Sequence, residues 1–313
     1  MTKKFFLLTI IVLSLAGQYC CSGSDDGSTG GEAANVNAND ATLEPALARL
    51  EFPRVKGGSS VVLVHSTQDA YGVNYSVEWD CDKKSQRWSC YMMAGTNLAS
   101  TVTRYTSKTD QYPFDPLLPR DKYLSKDCFG QTGFDHGHIC PSADRLYSAE
   151  ANRQTFFLTN MQPQYKAFNG SLQGSEAYKN EWSPWYQLEG QIRTWANARS
   201  TEALYVVKGG TIEDSQVMLN SQGAVHLLQG EMRVPKYFFV ALLLKNEQGY
   251  KAIGFWMEHK GSYPKKQSLA DYVVNIRTLE QMTGIDFFCN LPDDIEESRE
   301  TLPAENLKRA WEL

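Results

Sequence analysis

Gly133-Phe134-Asp135-His136-Gly137-His138-Ile139-Cys140-Pro141-Ser142-Ala143-Asp144 is the stretch from which the rest of this 313-residue chain can be read. The protein has only 5 histidines, and two of them sit here beside the carboxylates Asp135 and Asp144. Such a cluster can hold a metal, activate water, or do both, because an imidazole titrates near neutral pH. Gly137, between the two histidines, suits a backbone that must approach a neighbour closely or take positive φ.

Three further segments follow downstream. They are Thr159-Asn160-Met161-Gln162-Pro163-Gln164, then Phe168-Asn169-Gly170, then Trp185-Tyr186-Gln187-Leu188-Glu189. Taken alone, Asn160 and Asn169 read as turn or cap residues. Glu189 is informative by itself, since it lies on the margin of a helical apolar stripe, four residues after Trp185 and three before Ile192. A carboxylate facing a core needs a partner, and Arg193 at i+4 is the local candidate.

Together the four segments resemble the sugar-non-specific DNA/RNA endonucleases, the Serratia nuclease and endonuclease G-like family, a likeness that covers roughly residues 60–298. That family reads Asp-Arg-Gly-His where this chain reads Asp135-His136-Gly137-His138. The separations also agree, 22 residues from His138 to Asn160 and 9 from Asn160 to Asn169. The resemblance implies a ββα-metal motif in which two strands flank His138 and a helix begins around Asn169. It implies that His138 is the general base and that Asn169 binds Mg²⁺ directly, with Mn²⁺ or another divalent cation able to substitute. Asn160 would support the site, and Glu189 would hold waters on the metal, with Arg193 beside it on the phosphate. Arg104 would face the scissile phosphate and Asp135 would orient its neighbours. The substrates implied are DNA and RNA, taken without regard to sequence. The residues Gln173–Glu181 look like an insertion between Asn169 and Glu189.

His136 departs from the family arginine. A neutral imidazole loses a fixed charge near the phosphates, which implies weaker activity or a preference for lower pH. Protonated, His136 restores that cation, while His138 as base must be neutral. The two demands predict a bell-shaped pH dependence. Two other readings of the chain compete with an active nuclease. One is a catalytically weak or inactive surface lipoprotein that binds polyanions. The other is a structural zinc module at Cys128, His136, His138 and Cys140, four competent ligands of which three share one face of a strand.

The N-terminus reads as an export signal over residues 1–21, with Lys3 and Lys4 followed by the apolar run Phe5 to Ala16. Cys20 and Cys21 close it as a lipid-bearing cysteine would, so the expected location is periplasmic or on the outer membrane or cell surface. Residues 22–45 lack aromatic residues and have almost nothing to bury, which predicts a flexible tether. Residues 46–313 form the expected nuclease domain. The net charge of −5 conceals a body, residues 46–289, that carries +2. Mildly basic charge is compatible with a polyanionic substrate and far below that of binders whose affinity comes from neutralising phosphates.

Five cysteines remain after the signal. An oxidising compartment favours disulfides, and Cys81 with Cys90 is the expected pair. Cys128 with Cys140 would brace the loop before the histidines, leaving Cys289 over.

Strand patterns occupy Ser60–His65, Tyr75–Asp80, Trp88–Met93, Leu204–Lys208, Tyr237–Lys245 and Tyr250–Met257, the last two joined by the turn Asn246-Glu247-Gln248-Gly249. Asn97 to Gly130, with Pro113, Pro116 and Pro119, reads as a long surface excursion. One helix is predicted from Ser183 to Arg199, striped by Trp185, Leu188, Ile192, Trp195 and Ala196. A second runs from the N-cap Ser268 through Leu269, Tyr272, Val273, Ile276 and Leu279 to Gly284. Hairpins dominate and no βαβ repeat appears. The expected class is α+β, a mainly antiparallel central sheet with flanking helices.

Overall fold

The computed structural model describes residues 35–68, 72–170, 182–265 and 267–313. Its frame is a seven-stranded sheet in the order β1-β2-β3-β6-β9-β10-β11. The strands are β1 (Ser60–Ser66), β2 (Val73–Asp80), β3 (Ser85–Met93), β6 (Ala203–Gly210), β9 (Tyr237–Asn246), β10 (Gly249–Glu258) and β11 (Val273–Val274). Every neighbouring pair is antiparallel. Two small two-stranded sheets stand apart, β4 (Phe134–His138) with β5 (Met161–Tyr165), and β7 (Leu227–Leu228) with β8 (Met232–Arg233). The helices are α1 (Ala149–Gln154), α2 (Lys166–Asn169), α3 (Pro184–Ala196), α4 (Ile276–Thr283), α5 (Asp293–Glu300) and α6 (Ala304–Ala310).

β9 explains why the sheet sits in the middle. Phe238, Val240, Leu242 and Leu244 face one core while Phe239, Ala241 and Leu243 face the other. A strand covered on both faces reads as an unbroken apolar run, and period-two alternation deals its side chains to opposite sides. The first core takes Trp185, Leu188 and Ile192 of α3 and Trp311 after α6. The second takes Trp88, Ile276 and Leu279 with Phe287 and Phe288. Asn246 pairs with Gly249 across the two-residue turn, where Gly249 adopts φ 102°.

The six strand patterns are all strands, and the excursion between Asn97 and Gly130 contains only short 3₁₀ turns. The second predicted helix is broken. Ser268 caps a single 3₁₀ turn, Leu269–Tyr272, after which Val273 and Val274 pair with Phe255 and Gly254 at the sheet edge. Two β-branched residues beside an unpaired edge prefer the ladder. Asn275 then caps α4 anew by accepting from the Thr278 N–H at 2.8 Å, and Gly284 ends it in the left-handed conformation.

The signal, with Cys20 and Cys21, lies outside the described residues. Within the segment expected as a tether, residues from Asn35 onward are tied to the body. Asn35 donates to the Leu291 carbonyl, Asn37 to Asp286 and Glu296, and Asn39 to the Pro53 carbonyl. Side-chain amides supply attachment here that apolar composition could not indicate. The five described cysteines are free thiols. Cys90 pairs with Ser76 in the β2–β3 ladder, so Cys81 lies about 17 Å further along the strand and cannot bridge to it. Cys128 and Cys140 share the first core as protonated thiols, each pushed up to about 12 by burial.

Around Arg277, the carboxyls of Glu280, Asp286, Glu296 and Glu300 crowd the cleft that Asn37 enters. Burial raises all four, and repulsion from neighbouring carboxylates adds to it at the three glutamates, taking Glu280 and Glu296 to about 7 and Glu300 to about 9. The folded state therefore keeps protons that the unfolded chain releases above about 4.5. Stability contributed by this cluster is full below that pH and is lost as pH rises through 7 to 9. Thermal melting in a pH series should show a falling midpoint over that window, and Glu300→Gln should flatten the decline. A midpoint that climbs between pH 5 and 9 would contradict this account.

Candidate active site

β4, β5 and α2 follow one another as a strand–strand–helix unit. Its register sets Asp135 opposite Gln164, Gly137 opposite Gln162 and His138 opposite Met161. Gln162 fastens this unit to the main sheet: its amide donates to the Gln86 and Gly210 carbonyls and accepts from the Gly210 N–H at 2.6 Å. Gly137 is needed for close approach and not for an unusual φ. A Cβ there would stand 2.3 Å from the Gln164 side chain.

Asn169 is the last residue of α2, which ends rather than begins there because Gly170 turns left-handed at φ 84°. Ser183, the residue before α3, donates its hydroxyl to the Phe168 carbonyl, so the start of α3 is bonded to the end of α2. The expected insertion Gln173–Glu181 lies outside the described residues. α3 then brings Glu189 and Arg193 round to face β4.

The result is a cleft of about 490 Å³ lined by Arg104, Asp135, His136, His138, Asn169, Glu189 and Arg193, together with Tyr112 and Tyr186. Seven of the eight residues expected in the site meet there. Asn160 does not. It is fully buried behind the cleft, its amide oxygen accepting from the Cys140 N–H at 2.9 Å and its amide nitrogen donating to the Cys140 and Thr155 carbonyls at 2.8 Å. It holds the strand that carries the histidines and touches nothing in the cleft.

His138 packs edge-on against Phe156 at 4.8 Å. Burial pushes its ring down to about 3, with the Arg104 charge acting in the same direction and a hydrogen bond to the His136 backbone opposing them. Its Nε2 is buried and has no hydrogen-bond partner among the described residues. The backbone bond thus falls to Nδ1, and Nε2 is left as the lone-pair nitrogen. That is the form a base requires.

His136 does not serve as the expected phosphate-facing cation. Its ring is sandwiched between Tyr112 at 3.6 Å and Phe129 at 4.2 Å, and Nε2 meets the Asp127 carboxylate at 3.0 Å. Burial opposes the Asp127 charge, but the bonds to His136 and to the Phe129 N–H hold that carboxyl below its ordinary value.

Arg193 is not the partner of Glu189. It donates to Asp144 Oδ1 at 3.0 Å, while Asp144 Oδ2 accepts from the Tyr91 hydroxyl at 2.8 Å. Burial works against the Arg193 charge, and Asp144 and Glu189 more than offset it. Glu189 instead takes Lys208 at 2.8 Å, a lysine fully buried in β6 with its ammonium 4.3 Å from the Trp185 ring centre. Burial raises the Glu189 carboxyl, and Lys208 is the largest influence that lowers it. The signal for Lys208 was available, a lone cation closing the apolar strand Leu204–Lys208.

Asn169 donates through Nδ2 to Asp135 Oδ2 at 3.1 Å. An ionised carboxylate only accepts, so the amide nitrogen must face Asp135. The amide oxygen accepts no hydrogen bond among the described residues and remains free as a donor atom for a hard cation. The zinc arrangement is not formed. Cys128 and Cys140 are buried in the core, and among the described residues no group of three or more His, Cys, Asp or Glu side chains is placed to hold a metal ion.

An unpartnered imidazole nitrogen, an amide oxygen and two guanidinium groups round one open cleft are the equipment of a phosphodiester hydrolase. The chain belongs to the DNA/RNA non-specific endonuclease family, whose model matches residues 60–294. It is 23% identical to the mitochondrial nuclease EXOG of Xenopus laevis, over 71% of this chain and 58% of that protein's length. A nuclease of Nostoc is 25% identical, covering 72% of this chain and 75% of its own. The nuclease of Serratia marcescens is 25% identical over 79% and 82%. The fold matches a chain from the EndoG/EndoGI complex with a TM-score of 0.58 at 17% identity, over 75% of this chain and 89% of that one.

Gly137→Ala is expected to cost ~1–3 kcal/mol through overpacking against Gln164 and to lower activity by displacing His138. Adding Gln164→Ala should return part of that stability in a double-mutant cycle read by denaturant melts. Strict additivity of the two changes would show that the contact does not shape the strand.

Proposed function

We propose that this chain is an exported, divalent-cation-dependent endonuclease that hydrolyses phosphodiester bonds of DNA and RNA without reading sequence or sugar. The observation that carries this reading is the free Nε2 of His138, buried at the wall of the cleft that also holds the Asn169 amide oxygen, Arg104 and Arg193. His138 takes the proton from the attacking water. Arg104 and Arg193 meet the phosphate oxygens, where an always-charged fork binds two at once. Asp135 keeps the Asn169 amide turned so that its oxygen faces the cleft. Lys208 holds Glu189 in one position at its edge. Asn169 would ligate a Mg²⁺ ion directly, with Glu189 acting through water, and Mn²⁺ would substitute. When bound, the cation stabilises charge developing on the phosphoryl oxygens. None of these contacts requires a base edge, so sequence goes unread.

Export by the N-terminal signal, with a lipid on Cys20 or Cys21 or simple cleavage, belongs to the same proposal. A polyanionic substrate outside the cell and a tethered enzyme are compatible chemistries.

Plasmid nicking with Mg²⁺, abolished by EDTA and restored by Mg²⁺ or Mn²⁺, is the direct test. Binding of plasmid without any nicking would leave polyanion binding in place of catalysis. His138→Ala is expected to lower turnover by ~10²–10⁴-fold with an unchanged melting temperature. Near-native turnover in that variant would end the assignment. Asn169→Ala should raise the Mg²⁺ concentration needed for half-maximal rate, which a metal titration reads. Because His138 is held far below its ordinary value, kcat/KM should stay level as pH falls through ~6.5, the unperturbed imidazole value. A loss centred there would mean that the ring is not buried in the free enzyme.

A further inference from the structure

Tyr186 stands in the first turn of α3, three residues before Glu189, and lines the same cleft. It is 47% exposed, whereas its neighbours Trp185 and Leu188 are each 1% exposed in the core. Among the described residues its ring stacks on no other ring and its hydroxyl makes no hydrogen bond. The turn that ends α2 is shaped round it: a Cβ on Gly170 would lie 2.5 Å from the Tyr186 Cβ. The base of the side chain thus packs on the residue that follows Asn169, while much of the residue's surface faces solvent. Tyr112, the other tyrosine of the cleft, differs, because His136 already covers one of its faces at 3.6 Å.

We propose that Tyr186 is the stacking platform for an unpaired nucleobase next to the scissile phosphate, making single-stranded nucleic acid the preferred substrate. This rests on the nuclease reading and adds a substrate class to it. Every base has a π face, so stacking on tyrosine is indifferent to sequence and to sugar. A base in a duplex must first leave its own stack, which sets single strands ahead. The guanidinium groups of Arg104 and Arg193 hold the phosphate, and Tyr186 gives the attached base a surface on the Asn169 side of the cleft.

The test uses the full exported chain with a fluorescein-labelled oligothymidylate and with a duplex of mixed sequence. In Mg²⁺, Tyr186→Ala should raise KM for the single strand ~10-fold or more while kcat changes little, and the duplex KM should rise by less. Tyr186→Trp should retain the wild-type KM. Equal KM values for Tyr186→Ala and wild type on the single strand would overturn the proposal, as would an equal loss on both substrates. Anisotropy of the labelled strand in EDTA separates the two readings. Weaker binding by Tyr186→Ala, in a wild type that binds but never cleaves, would uphold stacking and remove the nuclease. Cleavage by wild type with binding unaffected by Tyr186→Ala would do the reverse.

Discussion

The amide of Asn160 spends half its hydrogen-bonding capacity on Cys140, two residues past the strand that carries His138. It clasps both backbone groups of Cys140, and its remaining bonds go to Ser89 in β3 and the Thr155 carbonyl. A buried amide with all four positions satisfied has no alternative geometry to move to. Through Ser89 it refers β4 to the central sheet, and Gln162 makes a second such reference through Gln86 and Gly210. The position of the imidazole is therefore set by backbone contacts one layer behind the cleft, and the histidine itself is free to do chemistry.

Charge is arranged on the same plan. Lys208 and Asp144 are buried, and each commits its charge to one cleft residue, Glu189 and Arg193 respectively. Buried ion pairs seldom stabilise a fold, because desolvation consumes the Coulombic gain. Their value here is positional: each long, mobile side chain at the cleft is held from behind by a rigid one. The Tyr91 hydroxyl on Asp144 extends that support into β3.

His136 stands where the resemblance to the family implies an arginine. A guanidinium at that place would project charge, whereas the imidazole is stacked between Tyr112 and Phe129 and hydrogen-bonded to Asp127. It lines one part of the cleft beside Tyr112, where Arg104 and Arg193 are the guanidinium groups.

Much of this architecture was legible in the residues. Patterns with period two marked the six long strands because those strands are buried on one or both faces, and the stripe on α3 marked its buried side. The cleft residues Arg104, Asp135, His136, His138, Asn169, Glu189 and Arg193 were legible through motif order and spacing. What the chain alone could not determine depends on partners distant in sequence. Val273 and Val274 left a helical pattern only because the edge of β10 was vacant beside them. Glu189 chose Lys208 over Arg193 at i+4 because β6 passes beneath α3, and His136 turned to Asp127 because the irregular excursion returns there. Asn160 looked like a site residue and proved to be the clamp behind the site, since hydrogen bonds to a strand 20 residues away leave no periodic trace. Sequence determined which chemical groups were present and which elements carried them; tertiary packing alone decided which charges met and therefore which groups stayed free to react.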